Sequence, residues 1–275
     1  MNSSNVVVLA GALALAPAAA LAPGAAWAAD MPALLEKAPI IEDFGGWYLR
    51  GDIGMTNQRL DRLHNVQMGL PHTAVFEFLD EGGFDSGWLF GLGVGYQFNS
   101  WLRADLTGEY RGTTGFRALD RYDTAGNGTW DGANEHNATK SEWLFLANAY
   151  VDLGTWWHIT PFIGAGIGAA EVSIDNYNDV KVWGGGGGYA ASHAQWNFAW
   201  ALHAGLAYHV SPAFTVELAY RYLSLGDGKT GDVINYDGTN WWYNPTTFHD
   251  ITSHDVKFAV RWALGGYDTP VVRKY

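Results

Sequence analysis

The sequence contains no cysteine, little charge and, after residue 29, no long apolar run. The absence of cysteine excludes a disulfide framework, thiolate zinc sites and cysteine nucleophiles. Lysine and arginine number 16 against 28 aspartates and glutamates, so the chain lacks the cationic surplus that would neutralise the phosphates of a nucleic acid. A membrane-spanning helix needs about 20 apolar residues, and no segment after residue 29 meets that requirement.

Aromatic residues and glycine are abundant instead. Aromatics make up 15% of the chain, with 14 tryptophans, and there are 35 glycines. Only 16% of the residues are charged. This composition is unusual for a soluble enzyme, and it indicates a sheet-rich protein that presents apolar side chains to something other than water.

The two ends of the chain differ from its middle. Residues 5–29 are largely apolar and end with Ala26-Trp27-Ala28, a small-x-small pattern typical of signal-peptide cleavage sites, one residue before the end of the segment. The alternative is a membrane anchor, which Pro17 and Pro23 disfavour because they interrupt the run. We predict a signal peptide over 1–28, a linker over 29–45, a central domain over 46–264 and a C-terminal tail over 265–275.

Between 46 and 264, apolar and polar residues alternate with a period of two, which is typical of strands with two different faces. The pattern predicts eight strands, near 47–54, 88–98, 102–111, 143–152, 163–168, 197–209, 215–222 and 255–262. Connections of two to five residues alternate with long ones at 56–86, 112–140, 171–194 and 224–252. This predicts an all-β fold: an eight-stranded antiparallel up-and-down transmembrane β-barrel with four long extracellular loops.

Alternation alone does not say which face points outward, and a soluble lipocalin-like barrel turns its apolar face inward. Here the aromatic residues of the apolar face gather at both ends of the strands. The members near the short turns are Trp47, Phe98, Phe214 and Trp262, and those near the long connections are Trp88, Tyr110, Trp143 and Tyr222. Two aromatic belts at opposite heights indicate a barrel that crosses a bilayer. We therefore predict that 46–264 form an outer-membrane β-barrel, with a periplasmic linker over 29–45 and a C-terminal periplasmic tail over 265–275.

The opposite strand face carries six basic and six acidic residues, which we predict to form a charge network inside the barrel. They are Arg50, Arg103, Arg111, Arg221, Lys257 and Arg261 with Asp52, Asp105, Glu109, Asp152, Glu217 and Asp255. Arg103 is expected to pair with Asp105 or Glu109. Because an eight-stranded barrel is about filled by its own side chains, this interior argues against free diffusion of solutes.

Several blocks, among them TPFIGAGIG (160–168) and ELAYRYL (217–223), resemble the eight-stranded outer-membrane barrel family of opacity-like and OmpA-like membrane domains. The resemblance implies a Gram-negative outer-membrane location and a non-enzymatic role in envelope integrity, adhesion or host contact. It also implies contact with outer-membrane lipid, lipopolysaccharide and the barrel-assembly machinery, and an unidentified host or surface ligand. A narrow porin-like channel is the alternative function.

Two weaker chemical candidates accompany this interpretation, and no cofactor is predicted. Asp123, Asn127 and Asp131 fall at calcium-loop positions, although a Gly/Asn turn explains the same residues. Ser253-His254-Asp255 offers the residue types of a lipid-modifying enzyme, but neighbouring strand residues point to opposite faces. The four long connections hold 16 acidic and 7 basic residues, so we also hypothesise divalent cations that bridge them to lipopolysaccharide phosphates.

Overall fold

A computed structural model describes residues 45–65, 74–183, 185–240 and 244–264. In this part of the chain no helix is long and apolar enough to cross a membrane. The predicted signal peptide, nearly all of the predicted linker and the predicted tail lie outside the described residues.

Twelve strands run through the described residues. They are β1 (Gly46–Arg59), β2 (Arg62–His64), β3 (Val75–Phe84), β4 (Gly87–Gln97), β5 (Leu102–Asp123), β6 (Gly132–Asp152), β7 (Ile159–Lys181), β8 (Gly187–Ala190), β9 (His193–His209), β10 (Phe214–Lys229), β11 (Val233–Asn235) and β12 (Thr247–Ala263). Antiparallel pairing runs from β1 through β4, β5, β6, β7, β9, β10 and β12, and β12 pairs again with β1. This closed ring confirms the predicted eight-stranded barrel.

Side-chain hydrogen bonds hold two of the short turns at one end of the barrel. Between β4 and β5, Asn99 Oδ1 accepts hydrogen bonds from the backbone N–H groups of Trp101 and Leu102 at 3.0 and 2.8 Å. Between β9 and β10, Ser211 Oγ accepts the N–H of Phe214 at 3.1 Å. Asparagine and serine favour turns for this reason.

Small and large residues alternate across neighbouring strands inside the barrel. Gly95 on β4 is the register partner of Tyr48, and a Cβ on Gly95 would lie only 2.2 Å from the Tyr48 ring. Gly166 on β7 is likewise the register partner of Asn148, and a Cβ on Gly166 would lie 2.1 Å from the Asn148 side-chain oxygen. The repeated G-x-G segments therefore make room for bulky inward side chains of the adjacent strand.

The outer surface of the ring carries a wide apolar band. Leu92 at its centre is 74% exposed, and the predicted belt residues Trp47 and Trp88 are 58% and 56% exposed. The inward face of the same strands is buried and largely polar. An apolar exterior around a polar interior matches a bilayer-spanning barrel and is the reverse of a soluble one.

Much of the four long connections is strand rather than loop, which differs from the predicted boundaries. β5 continues for twelve residues beyond Arg111, about 40 Å along the strand. We use the name outer extension for the part beyond the upper belt: 58–64, 75–86, 112–141, 171–183, 187–195, 224–235 and 247–253. The exposed side chains of the outer extension are mainly polar, which indicates that it projects from the membrane into water.

β-Bulges mark the entry of several strands into the outer extension. On β5 the register shifts between Arg111 and Thr114, so the inward residues change from odd to even numbers. On β7 and β12, the inward residues also change between even and odd numbers. Asn176 and Asp250 lie at these two changes and adopt positive φ angles of 54° and 53°. A bulge inserts one residue and re-aims the strand, which keeps one face inward along the whole length.

A hydrophobic core fills the outer extension and reaches into the barrel. Its members are buried and apolar, and they include Leu63, Phe84, Phe116, Leu144, Val172, Ile174, Leu223, Leu225, Phe248 and Ile251. Phe84, Phe116 and Phe248 pack as a cluster with ring centroids 4.9 to 5.6 Å apart. The extension is thus a packed continuation of the barrel.

Substitution of Leu92 tests which face touches lipid. We expect Leu92→Arg to destabilise the inserted barrel by about 2–4 kcal/mol, because the guanidinium would lie near the bilayer midplane. The matched control is Leu79→Arg on β3, where a 49% exposed leucine stands in the outer extension and faces water. Folded barrel in the outer-membrane fraction, measured by heat-modifiable gel migration, should fall for the first variant alone. Equal yields of both variants would contradict the orientation.

Candidate functional site

The structure brings together all twelve residues of the predicted interior charge network. Each of them is buried inside the ring. Ion pairs connect them into one continuous network that runs from the short-turn end toward the outer extension. With six charges of each sign the network has no net charge, which offsets part of the cost of removing these ions from water.

Glu109 and Asp255 organise the outer half of the network. Arg221 donates two hydrogen bonds to Glu109 at 2.5 and 3.0 Å, and Lys257 Nζ lies 3.0 Å from the same carboxylate. Arg111 donates to both oxygens of Asp255 at 2.8 and 3.2 Å. Paired, fork-like contacts of this kind fix the guanidinium planes as well as neutralising charge.

Glu217 organises the half near the short turns. Its carboxylate lies 2.6 Å from Arg261 Nε, 3.2 Å from Arg103 Nη2 and 3.5 Å from Arg50 Nη2. Arg50 continues the network to Asp52 at 2.7 Å. The Arg103 and Arg261 contacts are within ion-pair distance, but their N–H groups are poorly aligned for hydrogen bonds.

The expected partners of Arg103 were wrong. Arg103 pairs with Asp152 on the neighbouring strand β6 and with Glu217 on β10 across the barrel, and its guanidinium lies over the rings of Tyr150 and Phe162 at 4.1 and 4.6 Å. Aromatic faces attract a guanidinium that cannot complete its hydrogen bonds. Asp105 and Glu109 are already held by other cations of the network, so neither is left for Arg103.

Sequence reasoning missed two further members of the network. Arg111 Nε donates to Glu142 at 2.6 Å, and Lys140 contacts both Glu142 and Gln58. Lys140 and Glu142 share the inward parity of Asp152, which was the available signal, but they precede the predicted start of that strand. Their addition makes seven cations and seven carboxylates, so neutrality is kept.

The calcium candidates form a self-contained turn. Asp123 accepts the N–H groups of Ala125, Gly126 and Gly128 at 3.1, 2.8 and 2.7 Å, while Asn127 accepts that of Thr129. Asp131 binds Thr124. These oxygens already hold backbone donors, and the described residues contain no group of three or more acidic or histidine side chains arranged for a metal. The geometry favours the turn interpretation.

The residues of the lipid-modifying alternative lie on opposite faces of β12. Ser253 and Asp255 face the interior, where Ser253 donates to Asp255 at 2.5 Å and accepts from Arg111. His254 faces outward and accepts a hydrogen bond from, or donates one to, Tyr220 at 2.6 Å. The structure therefore does not assemble these three residues into one catalytic site.

A second polar cluster lies inside the outer extension, and sequence reasoning did not find it. His136 contacts Asp120 at 2.6 Å and Tyr177 at 2.9 Å. Asn65 donates to Asp120 at 3.0 Å, and Thr246 donates to Tyr177 at 3.2 Å. We call these five residues the His136 cluster. It joins β5, β6 and β7 to the segments that follow β2 and precede β12.

The charge of His136 depends on competing effects. Burial lowers its pKa, but the hydrogen bond to Asp120 and the nearby Asp179 carboxyl outweigh burial and raise the pKa above its usual 6.5. Burial raises the pKa of Asp179 above its usual 3.8, against the opposing effect of His136 and Lys181. In both cases the folded state holds its proton more tightly than the unfolded chain, so these protons stabilise the fold.

Truncation of Arg103 tests the interior network. Arg103→Ala should lower the free energy of unfolding by about 3–5 kcal/mol, because Asp152 loses its cation while remaining buried. Asp61→Ala, an exposed position in the outer extension, should change it by less than about 0.5 kcal/mol. Urea unfolding followed by heat-modifiable migration measures both. Similar losses in the two variants would argue against an interior role for Arg103.

Removal of the His136 imidazole tests the second cluster. Its contribution to stability is fully present below pH 6.5, the ordinary value, and is lost as pH rises through the higher folded pKa. Wild-type protein should thus unfold at a lower temperature at about pH 8.5 than at about pH 6, and His136→Gln should reduce that difference. His193→Gln, at a partly exposed position of the same extension, is the control. An unchanged pH dependence in the His136 variant would contradict the assignment.

Comparison with known proteins places this architecture in a family. A family model described as outer membrane protein beta-barrel domain matches residues 7–262. An uncharacterised protein of Brucella abortus (strain 2308) is 35% identical over 226 residues, which cover 74% of this chain and 78% of that protein. A protein of Rickettsia prowazekii (strain Madrid E), named provisionally as an adhesin, is 28% identical over 79% of this chain and 87% of its own length.

Among solved structures, the crystal structure of Neisserial surface protein A is similar, with a TM-score of 0.41 and 16% identity over 79% of this chain and 96% of that chain. The family model covers nearly all of the described ring, and the ring has the closure, the apolar exterior and the aromatic belts of a bilayer-spanning barrel. The chain therefore belongs to the outer membrane protein beta-barrel domain family and is a protein of the outer membrane.

Proposed function

We propose that this protein is a non-enzymatic surface-interaction protein, whose outer extension contacts ligands outside the cell. The observation that carries the proposal is the outer extension itself: packed strands continue beyond the upper aromatic belt and present a strongly acidic surface to water. The long connections that form it hold 16 acidic and 7 basic residues. Of these, Asp120, Asp123, Asp179 and Lys140 are buried, so 13 acidic and 6 basic residues remain at least partly exposed. Function in barrels is concentrated in such projecting segments.

The extension has the rigidity that a contact surface needs. Its hydrophobic core and the His136 cluster fix the strands and the segments between them. A surface that is ordered before binding loses less conformational entropy on contact. The similarity to a rickettsial protein with a provisional adhesin name supports adhesion as the kind of contact.

The proposed partners follow from this placement. The apolar band contacts outer-membrane lipid, the barrel-assembly machinery inserts the chain, and lipopolysaccharide surrounds the upper belt. Divalent cations would bridge the acidic extension to lipopolysaccharide phosphates, since both carry negative charge. A host or surface ligand would engage the extension above that level.

The interior argues against the channel alternative. Leu144, Val172, Leu223, Leu225 and Ile251 are buried with no measurable exposure at the junction between the charge network and the outer extension. The network on the other side of this apolar layer is held by its own ion pairs. Solute passage would require the side chains of both layers to move aside, and an eight-stranded barrel has little free interior space for that movement.

Adhesion of bacteria that display the full-length protein tests the proposal. Gram-negative cells carrying it should bind cultured epithelial cells several-fold more than vector cells, because the carboxylates of the extension are complementary to basic sites on host surface proteins. The combined variant Asp61→Asn, Glu81→Gln, Asp85→Asn, Asp250→Asn changes exposed carboxylates of the extension and should lower binding. Equal surface levels are verified by heat-modifiable migration. Adhesion no higher than that of vector cells would refute the proposed function.

A further inference from the structure

One side of the outer extension exposes apolar side chains to water. Tyr189 and Tyr236 are 50% and 57% exposed, and Val180 is 40% exposed. With Ile234, these residues occupy strands β7, β8 and β11 or the residue directly after β11. We call the four residues the tyrosine face. Val180 lies nine residues beyond Glu171, the register partner of the belt residue Trp143, which places this face about 30 Å beyond the belt and out of the lipid.

The strand register places the four side chains on one flat surface. Tyr189 is the register partner of Asn178 on β7 and of Ile234 on β11. In the next row Val180 is the partner of Gly187, whose carbonyl accepts the N–H of Tyr236 at 3.0 Å. The two tyrosine rings lie 6.4 Å apart and within 19° of parallel. Because Gly187 has no side chain, no side chain of β8 separates Val180 from Tyr236 in this row.

The face, rather than the edge of this small sheet, is open to a partner. Asn244 covers the edge of β11: its Oδ1 accepts the N–H of Val233 at 2.9 Å and its Nδ2 donates to the Val233 carbonyl at 3.2 Å. Strand addition at Val233 would therefore have to displace existing hydrogen bonds. Beneath the face, Ala190 and Val233 are buried in the core of the extension, which holds the surface in shape.

Carboxylates surround the tyrosine face. Glu135 is exposed and is the register partner of Val180. Asp237 follows Tyr236 and is exposed, and Asp232 is exposed two residues before Ile234. Lys181, next to Val180, places its ammonium group 5.8 Å from the Tyr122 ring. Aromatic rings with acidic neighbours are complementary to a cation that carries apolar stems, as arginine and lysine do.

We propose that the tyrosine face binds a cationic, extended polypeptide segment of a partner protein. Arginine or lysine side chains lie across the rings of Tyr189 and Tyr236, and their charged ends reach Glu135 and Asp237. A neutral sugar would use the rings but not the carboxylates, and an acidic glycan would be repelled by them. This inference rests on the proposed function and names the partner class for one surface of the outer extension.

Peptide binding to the full-length protein in micelles of an uncharged detergent tests the inference. The probes are a fluorescent peptide of alternating arginine and threonine, and its counterpart of alternating glutamate and threonine, followed by fluorescence anisotropy. The arginine peptide should bind more weakly as salt rises, and the glutamate peptide should not bind. The double variant Tyr189→Thr, Tyr236→Thr should weaken arginine-peptide binding by at least about tenfold. Threonine suits exposed strands, so the sheet should persist.

The matched control is Val75→Thr, Leu79→Thr on β3, which changes exposed apolar residues elsewhere on the extension and should alter binding by less than about twofold. If the tyrosine variant does not fold, the charge reversal Glu135→Lys, Asp237→Lys supplies the same test and should abolish binding. Wild-type affinity in either folded variant, equal binding of both peptides, or binding of maltoheptaose in place of the arginine peptide would overturn the inference. Cells that adhere equally with and without the two tyrosines would also overturn it while leaving the proposed function intact.

Discussion

Each charged side chain enclosed within a lipid-embedded barrel must pair with a charge of opposite sign, and the rest of this structure depends on that constraint. A single buried charge without a partner costs several kcal/mol, whereas a fully paired network costs far less. The interior meets the requirement by joining Glu109, Glu217 and Asp255 to cations from several different strands. Because each carboxylate holds side chains from opposite walls, charge matching also fixes the register of the ring.

The closed ring, its orientation and its twelve interior ions followed from the sequence, because alternation of period two reports directly on two-faced strands. The partners of Arg103 did not follow, since pairing across the barrel depends on its diameter and on the tilt of the strands. The outer extension was hidden for a different reason. The bulge after Arg111 reverses the inward parity, so Phe116 and Asp120 fall out of phase with Arg103 and resemble a loop. The His136 cluster was hidden as well, because it joins residues from five separate segments.

The same strands use opposite rules on the two sides of the upper belt. Within lipid, polar residues face inward and apolar residues outward; beyond it, Phe116, Ile174 and Phe248 face inward while Arg117, Glu135 and Asp175 face outward or partly outward. The interior therefore changes from ion pairs to a hydrophobic core where the surroundings change from lipid to water. Within lipid, the polar groups pair with one another inside the barrel, because lipid offers them no hydrogen-bond partners. In water, the apolar side chains pack inside the extension, because the hydrophobic effect favours their burial. One set of strands is therefore stable in both media.

This reversal makes the tyrosine face informative. In the outer extension the hydrophobic effect favours polar outward residues, and most positions comply. Tyr189, Tyr236 and Val180 depart from the rule side by side, above a packed core and among carboxylates. Their exposure adds nothing to the stability of the isolated fold, since their burial requires a second surface. A contiguous apolar departure on a rigid, water-facing scaffold is best explained by a partner, and the surrounding acidic charge makes that partner basic.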